Sequence, residues 1–378
     1  MPQRDSKLMQ VSIAVRAVFS ETENAELNKV LNSIQQNIIL PAYLPEKQRR
    51  IVFDPQKRSY LEQNPIVIEV DGLEHKFSSI DRFNGIEESK MVLNRALDRM
   101  HSAGDWANLG TLLAGYKKAG IQLKAKHRGR IARMAGIRGH IYTIIECAKQ
   151  SDRTGLSLKY PEVTARILAS INSKIYENRG DAAEAKQALS WTETVLDLLQ
   201  RPEHTDSTRQ TRDRLHYSRP IRGMTLFSRA CAVQAGSSSH RELELLRDEV
   251  SLFVSLWRDS VNEDLSDLQD FACLNPKLER HPTKNRSPFI SALNGNGYVQ
   301  VLCQNIKGIE VAMELVKDNT ESLVSIRRKL GSHLQEFAIK PEARKVSWAE
   351  EYEKVMGEKP DWQPMSGTTA TASVEERS

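Results

Sequence analysis

Eight basic side chains between residues 117 and 138 carry the clearest chemical signal in the sequence. No acidic residue occurs between Asp105 and Glu146, whereas this stretch contains Lys117, Lys118, Lys124, Lys126, Arg128, Arg130, Arg133 and Arg138. Clustered cations create a positive potential that attracts polyanions, and each one that meets a phosphate releases counterions. We therefore predict that this segment binds RNA phosphates. The alternative is a solvated basic helix without a partner.

Other residues of the same segment suit contact with RNA. Gly129, Gly136 and Gly139 would let the backbone approach a phosphate group closely, because glycine has no side chain. His127 and His140 are expected at the surface or facing phosphates.

Three aromatic residues lie near this segment and allow two interpretations. Their rings could stack on unpaired bases, but aromatic residues at helical spacing also fill protein cores. The residues are Trp106, Tyr116 and Tyr142.

Residues that catalyse reactions or bind metals form no recognisable pattern. The nine His residues are dispersed without H-E-x-x-H spacing, and the four Cys residues lack C-x-x-C spacing. The sequence contains neither a G-x-S-x-G motif nor a phosphate-binding loop with Lys followed by Ser or Thr. It therefore predicts a protein that is not an enzyme and that needs no cofactor or metal.

Composition describes an ordinary soluble protein with a slight basic excess. The 378 residues include 39% apolar and 27% charged residues, with 54 Lys and Arg against 49 Asp and Glu, a net charge of +5. This length predicts more than one domain. The scattered Cys residues fit buried thiols in a reducing compartment, and no apolar run is long enough to predict a membrane span.

The N-terminal residues 1–20 are poor in acids and contain Arg4, Lys7 and Arg16. Such a stretch is typical of a mitochondrial presequence or a flexible arm. Its apolar residues also alternate from Val11 to Phe19, as in a β-strand, so both interpretations stay open.

Residues 21–84 combine an amphipathic helix, a basic arm and a hairpin. Ser20 and Glu23 form a capping-box pattern before the helix, and basic residues recur from Lys47 to Arg58. The segment Ile66–Phe77 alternates apolar and polar residues on both sides of an Asp-Gly pair. This pattern predicts a β-hairpin with a type I′ turn.

The remaining chain is helical in its periodicity. Residues 85–200 and 240–358 are predicted as two helical domains, separated by a linker at 201–239 with one short helix near Met224–Val233. The tail from Lys359 to Ser378 contains a run of Ser, Gly and Thr residues and is expected to be disordered.

Two stretches of residues 85–200 share a spacing. In "YKKAGIQL" and "SDRTGLSL", Gly120 and Gly155 are 35 residues apart, each followed by an aliphatic residue. This spacing resembles pentatricopeptide repeats, in which one helix pair ends in this way before the next begins. The resemblance covers about 100 residues and implies a right-handed, solenoid-like array of helix pairs. It does not identify base-reading residues, and an ordinary helical bundle with two similar turns is the alternative.

The predicted fold class is therefore mainly α with one N-terminal hairpin. The layout resembles the helical, RNA- or ribosome-bound proteins of fungal mitochondria, including mitochondrial ribosomal proteins. The resemblance implies a non-enzymatic protein of the mitochondrial matrix, with the cytoplasm as the alternative location. Its partners would be RNA or the mitochondrial ribosome, together with other ribosomal proteins. The alternative function is a helical scaffold that binds proteins and no RNA.

Overall fold

A computed structural model describes residues 18–80, 88–206, 214–236, 239–277, 292–339 and 346–362. The chain divides into two compact units. The first comprises Met1–Ile171, Ser190–Tyr217 and Arg280–Ser291, and the second comprises Asn172–Leu189, Ser218–Glu279 and Ala292–Ser378. Residues 1–17 of the predicted presequence and residues 363–378 of the predicted tail lie outside the described residues. The predicted domain boundaries stay a prediction.

Helices form most of the described chain, as predicted. In chain order they are α1 (Ala25–Ile34), α2 (Glu46–Val52), α3 (Arg58–Gln63), α4 (Ser89–Arg99), α5 (Ala103–Ala107), α6 (Leu109–Lys118), α7 (Ala125–Ile137), α8 (Ile141–Lys149), α9 (Ser151–Thr154), α10 (Pro161–Glu177), α11 (Ala182–Leu198), α12 (Arg219–Ala235), α13 (His240–Trp257), α14 (Gln269–Ala272), α15 (Gly295–Leu315), α16 (Thr320–Ile339) and α17 (Val346–Met356). None of the described helices has the length and apolar character needed to cross a membrane.

The predicted hairpin is confirmed. Strand β1 (Val67–Val70) pairs antiparallel with β2 (Leu73–Lys76), and Val70 lies opposite Leu73. The turn residues Asp71 and Gly72 have φ angles of 52° and 76°, as a type I′ turn requires. The inner face of the hairpin joins a small core in the first unit that contains Leu40, Leu44, Val52, Leu61, Val70 and Phe77. Packing on helices stabilises a two-stranded sheet that would be marginal alone.

The two glycines 35 residues apart both follow helix ends, as predicted. Gly120 has a φ of 74°, and its N–H donates to the carbonyl of Lys117 at 3.0 Å. The N–H of Ile121 donates to the carbonyl of Tyr116 at 2.9 Å, which completes a Schellman motif at the end of α6. Gly155 has a φ of 70° and ends α9 with a bond from its N–H to the carbonyl of Ser151 at 2.8 Å.

The helix expected near Met224–Val233 is longer than the sequence pattern indicates. Helix α12 has 17 residues, and small or polar residues occupy several of its buried positions, among them Gly223, Thr225 and Ser228. Their polar groups are satisfied locally; the Thr225 hydroxyl donates to the carbonyl of Ile221 at 3.0 Å. Small and polar residues at buried positions do not produce an apolar pattern with helical periodicity. The segment therefore resembles a linker in sequence, although much of α12 is buried.

Candidate nucleic-acid interface

Helix α7 carries most of the basic residues predicted to bind RNA. The N–H of Lys124, just before the helix, donates to Nδ1 of His127 at 3.2 Å, so the first turn is capped by a side chain within the helix. At the other end, Gly139 has a φ of 76° and the N–H of His140 donates to the carbonyl of Ala135 at 2.8 Å. These two caps fix the limits of the basic helix.

The buried face of α7 consists largely of small residues and contacts α10. A Cβ atom at Gly129 would lie 2.5 Å from Oε1 of Glu162, and one at Gly136 would lie 2.1 Å from Oγ of Ser170. The prediction that these two glycines bring the backbone close to phosphate is therefore wrong. They allow α7 and α10 to pack closely.

The outward face of α7 presents a stripe of cations. Lys126, Arg130 and Arg133 recur at i, i+4 and i+7, the spacing that places residues on one side of a helix, and Ile137 follows at i+11. Lys124 and Lys126 are exposed, and Arg133 is half-buried. Within the part of the chain that the structure describes, neither lysine forms a salt bridge. These two lysines are therefore available to an anion.

Helix α4 lies beside α7 and runs in the same direction. Nη2 of Arg130 contacts Oδ1 of Asp98 at 2.7 Å, and the Arg138 guanidinium contacts the His101 ring just beyond α4. Nearer the start of both helices, Lys90 adds to the positive charge around His127. On α4, Met91, Arg95 and Asp98 share one side by the same i, i+4, i+7 spacing.

These contacts define one surface, which we call the basic surface. It is formed by α4 and α7 and comprises Lys90, Arg95, Lys124, Lys126, Arg130, Arg133 and Arg138. Asp98 and Glu88 are the described acids within it. Its cations therefore outnumber its acids, which makes it a candidate site for phosphate groups.

The pKa of His127 reflects its burial and the positive charge of the basic surface. Burial lowers the pKa of His127, and the positive charges of Lys126, Lys90 and Lys124 lower it further, while Glu88 acts in the opposite direction. The ring is buried and accepts the Lys124 N–H bond described above. The expectation that His127 lies at the surface is therefore wrong, because its ring serves as a helix cap.

Arg128 belongs to a different environment. Its guanidinium lies over the ring of Tyr160, 4.7 Å from the ring centroid, and burial lowers the pKa of this group. Its position on α7 is two residues from Arg130, which turns it away from the stripe. We assign Arg128 to packing between α7 and the segment before α10.

Lys117 and Lys118 lie at a cleft and not on the basic surface. The Lys117 ammonium donates to the carbonyl of Ser151 at 3.4 Å and to that of Asp152, and the Lys118 ammonium lies 5.2 Å from the centroid of the Tyr43 ring. The cleft has a volume of about 680 Å³ and is lined by both signs of charge, including Glu69, Asp71, Lys117, Lys118, Asp152 and Arg153. Mixed charge makes this cleft a weaker candidate for RNA than the basic surface.

The aromatic residues near the basic segment are divided between the core and its edge. Trp106 and Tyr116 are almost fully buried, so base stacking by these two is excluded. Tyr142 is half-buried, and the centroids of its ring and the Trp191 ring are 5.2 Å apart. His140 is half-buried; its ring stacks on Trp106 at 5.9 Å, and Nε2 contacts the carbonyl of His101 at 3.0 Å.

Comparison with known proteins identifies the kind of protein that presents this surface. A family described as "Mitochondrial ribosomal protein mS27" matches residues 5–359 of the 378. The chain belongs to the mS27 family. The family match extends across both units and includes α4 and α7, which form the basic surface.

A curated relative agrees with the mS27 assignment. Small ribosomal subunit protein mS27 of Neurospora crassa is 28% identical over 207 residues. The alignment covers 53% of this chain and 52% of that protein, so the chain matches about half the length of its relative. The predicted resemblance to mitochondrial ribosomal proteins is confirmed at the level of the mS27 family.

Lys90 and Arg95 belong to the basic surface but are not recognisable as part of it from the sequence. Both lie on α4, outside the acid-free segment, and the neighbouring Glu88 and Asp98 conceal them in a count of charges along the chain. The helical spacing of Met91, Arg95 and Asp98 is visible in the sequence, but the pairing of α4 with α7 depends on the fold.

Proposed function

We propose that the chain is a non-enzymatic component of the small subunit of the mitochondrial ribosome, in the mitochondrial matrix, and that its basic surface binds ribosomal RNA. The observation that carries the proposal is the pairing of α4 with α7, which brings Lys90, Lys124 and Lys126 near His127 and places Arg130 beside Asp98. Membership of the mS27 family and the similarity to small ribosomal subunit protein mS27 of Neurospora crassa support the ribosomal part of the proposal.

The chemistry of the surface suits a phosphate backbone. The Arg133 guanidinium can bind phosphate oxygens with two donors, and the exposed Lys124 and Lys126 act as mobile point charges. Phosphate contacts hold a protein in position without reading sequence. We therefore expect salt-dependent binding with little dependence on the sequence of a paired RNA.

We further propose that the helices from α4 to α11 are pentatricopeptide-like pairs. In support, α4, α7 and α10 begin at Ser89, Ala125 and Pro161, so that successive starts are 36 residues apart. Gly120 lies two residues after the end of α6 and Gly155 lies directly after the end of α9, and both have positive φ angles. Superposition of 89–118 on 125–154 in an experimental structure tests the relationship; unrelated crossing angles would leave an ordinary bundle.

The alternative function is a protein-binding scaffold without RNA. The mixed-charge cleft at Lys117 and Lys118 is the feature that favours it, because a peptide can pair with both signs of charge. An RNA backbone carries only negative charge. Other ribosomal proteins are the partners that this cleft would serve, alone or together with RNA binding at the basic surface.

Replacement of three cations of the basic surface distinguishes these functions. The change is Lys124, Lys126 and Arg133 to Gln, and the measurement is the affinity of the purified chain for a transcript of mitochondrial small-subunit ribosomal RNA over a range of salt. Three lost phosphate contacts should weaken binding and reduce the salt slope by about 2 to 3, at roughly 0.7 to 0.9 per contact.

A matched variant controls for net charge. Arg247, Arg327 and Lys354, with side chains 47%, 48% and 57% exposed, lie in the second unit and can also be changed to Gln. This variant should bind RNA as the unmodified chain does. If both variants keep native circular dichroism and bind RNA equally well, the RNA-binding proposal fails and the scaffold function is favoured.

A further inference from the structure

The basic surface also carries the two most exposed large apolar side chains of the described residues. Ile137 is 71% exposed and Met91 is 57% exposed, whereas the other exposed large apolar side chains in the described chain reach at most 53%. Single exposed apolar residues are common on proteins. Here, however, the two extremes coincide with the surface that has the strongest concentration of cations.

The two apolar side chains lie at opposite ends of this surface. Ile137 follows Lys126, Arg130 and Arg133 along the outward stripe of α7, and Met91 begins the corresponding stripe of α4. Because the helices run in the same direction with Asp98 beside Arg130, Met91 and Ile137 are separated by roughly 20 Å along the helix axes, at 1.5 Å per residue. The cations lie between them.

This arrangement does not match a uniform RNA duplex. A regular A-form helix presents phosphates and riboses to a protein surface, and its bases are stacked inside. Cationic side chains bind such a surface favourably, but contact with phosphate contributes little binding free energy to an apolar side chain. Unstacked bases in loops, bulges and junctions expose their flat apolar faces, against which Ile and Met can be removed from water.

We propose that the basic surface binds RNA that contains unstacked bases, with Ile137 and Met91 packed against bases and the intervening cations on the flanking phosphates. This inference rests on the proposed function and specifies its RNA. An acidic protein segment could offer similar charge. The excess of arginines, which suit bidentate phosphate contacts, and membership of the mS27 family favour RNA.

The experiment compares three RNAs with equal numbers of phosphates on the purified full chain. One is a stem-loop, the second is the same stem-loop with abasic sites in its loop, and the third is a fully paired duplex. The unmodified chain should bind the intact stem-loop on the order of tenfold more tightly than either of the others, as expected for partial burial of two apolar side chains.

The variant Met91→Gln with Ile137→Gln should lose this preference. Its affinity for the stem-loop should fall to that for the duplex, with an unchanged salt slope, since no charge has been removed. Leu245→Gln is the matched control, because Leu245 is 41% exposed and lies on α13 in the second unit. The control should keep the full preference.

The remaining outcomes separate this inference from the proposed function. Equal affinity of the unmodified chain for all three RNAs, or a preference that survives in the double variant, overturns the inference and leaves phosphate binding intact. Absence of salt-dependent binding to any of the RNAs overturns both. Displacement of the stem-loop by an equally charged polyglutamate peptide would favour an acidic protein partner and also overturn the inference.

Discussion

The carboxylate of Glu162 occupies the space in which a side chain at Gly129 would lie. A Cβ at Gly129 would approach Oε1 of Glu162 to 2.5 Å, and this carboxylate is buried in an ion pair with Arg166 at 2.9 Å. The charged pair and the glycine therefore depend on each other. Together they set the distance between α7 and α10, and thus the position of the basic surface.

Gly129→Ala should destabilise the chain. The methyl group would have to displace a paired, buried carboxylate, and overpacking of this kind costs about 1 to 3 kcal/mol. We expect a lower melting temperature by circular dichroism. Gly331→Ala is the control, since no atom lies within 4 Å of a Cβ there and alanine favours helices; its melting temperature should be equal or higher. Equal behaviour of the two variants would contradict the packing role of Gly129.

Gly308→Ala should be more damaging than Gly129→Ala. A Cβ at Gly308 on α15 would lie 2.7 Å from the backbone N and 2.8 Å from Cα of Phe227 on α12. A side chain such as Glu162 can move, whereas the backbone of a packed helix cannot move without separating the helices. The prediction is checked by comparing the melting temperatures of the two variants under the same conditions. A smaller loss at Gly308 would show that α12 and α15 can separate easily.

Gly72→Ala should destabilise the hairpin through backbone strain. Gly72 has a φ of 76°, and no atom lies within 4 Å of a Cβ at this position, so steric contact with neighbours is not the cause. A left-handed conformation costs an ordinary residue about 1 to 2 kcal/mol. Thermal unfolding should show the loss, and Gly72→Asn should show less of it, because asparagine tolerates this conformation. Similar losses for Ala and Asn would argue against backbone strain as the cause.

The hairpin and the glycine-capped helix ends show what sequence can establish. Asp71-Gly72 and the glycines at 120 and 155 are local signals, because turn and cap chemistry depends on residues close in the chain. The roles of Gly129 and Arg128 are not local. The lack of space for a side chain at position 129 is due to Glu162 on α10, and the Arg128 guanidinium is positioned by Tyr160. Both partners are more than 30 residues away along the chain. A basic segment could be recognised from sequence, but the side chains that face outward could not be selected without these contacts.

Asp98→Asn should strengthen RNA binding. In the folded chain Asp98 engages Arg130 and places a negative charge in the middle of the basic surface. Its neutralisation frees Arg130 for a phosphate and removes the repulsion between the Asp98 carboxylate and RNA phosphates. RNA affinity should therefore rise a few-fold, and the salt slope should increase by about 1. Salt-dependent binding to small-subunit ribosomal RNA measures both quantities.

Glu26→Gln is the control for this change. Glu26 pairs with Lys29 on α1 at 2.8 Å and is 63% exposed, so its neutralisation alters net charge by the same amount without releasing a cation of the basic surface. RNA affinity should change less than for Asp98→Asn. Equal gains would indicate that net charge, and not the local field at Arg130, controls binding.

The stability of the chain should decrease as pH falls below about 6.5, the ordinary pKa of histidine. Burial lowers the pKa of both His127 and His204 in the folded chain. Each ring accepts a backbone hydrogen bond through Nδ1, from Lys124 at 3.2 Å and from Leu158 at 3.1 Å, which requires that nitrogen to be unprotonated. Between the folded and unfolded pKa values the unfolded chain binds more protons, so the free energy of unfolding rises with pH in that window.

His127→Asn isolates one of these contributions. The Asn side-chain oxygen can accept the Lys124 N–H bond but does not titrate, so the fall in melting temperature between pH 7.5 and 5.5 should be smaller than in the unmodified chain. Lys90, Lys124, Lys126 and Glu88 are the charged groups that act on the ring. His240→Asn, at a side chain 82% exposed, is the control and should leave the fall unchanged. If His127→Asn and the unmodified chain lose the same stability on acidification, the neutral His127 cap does not contribute to the pH dependence, and His204 or another group must account for it.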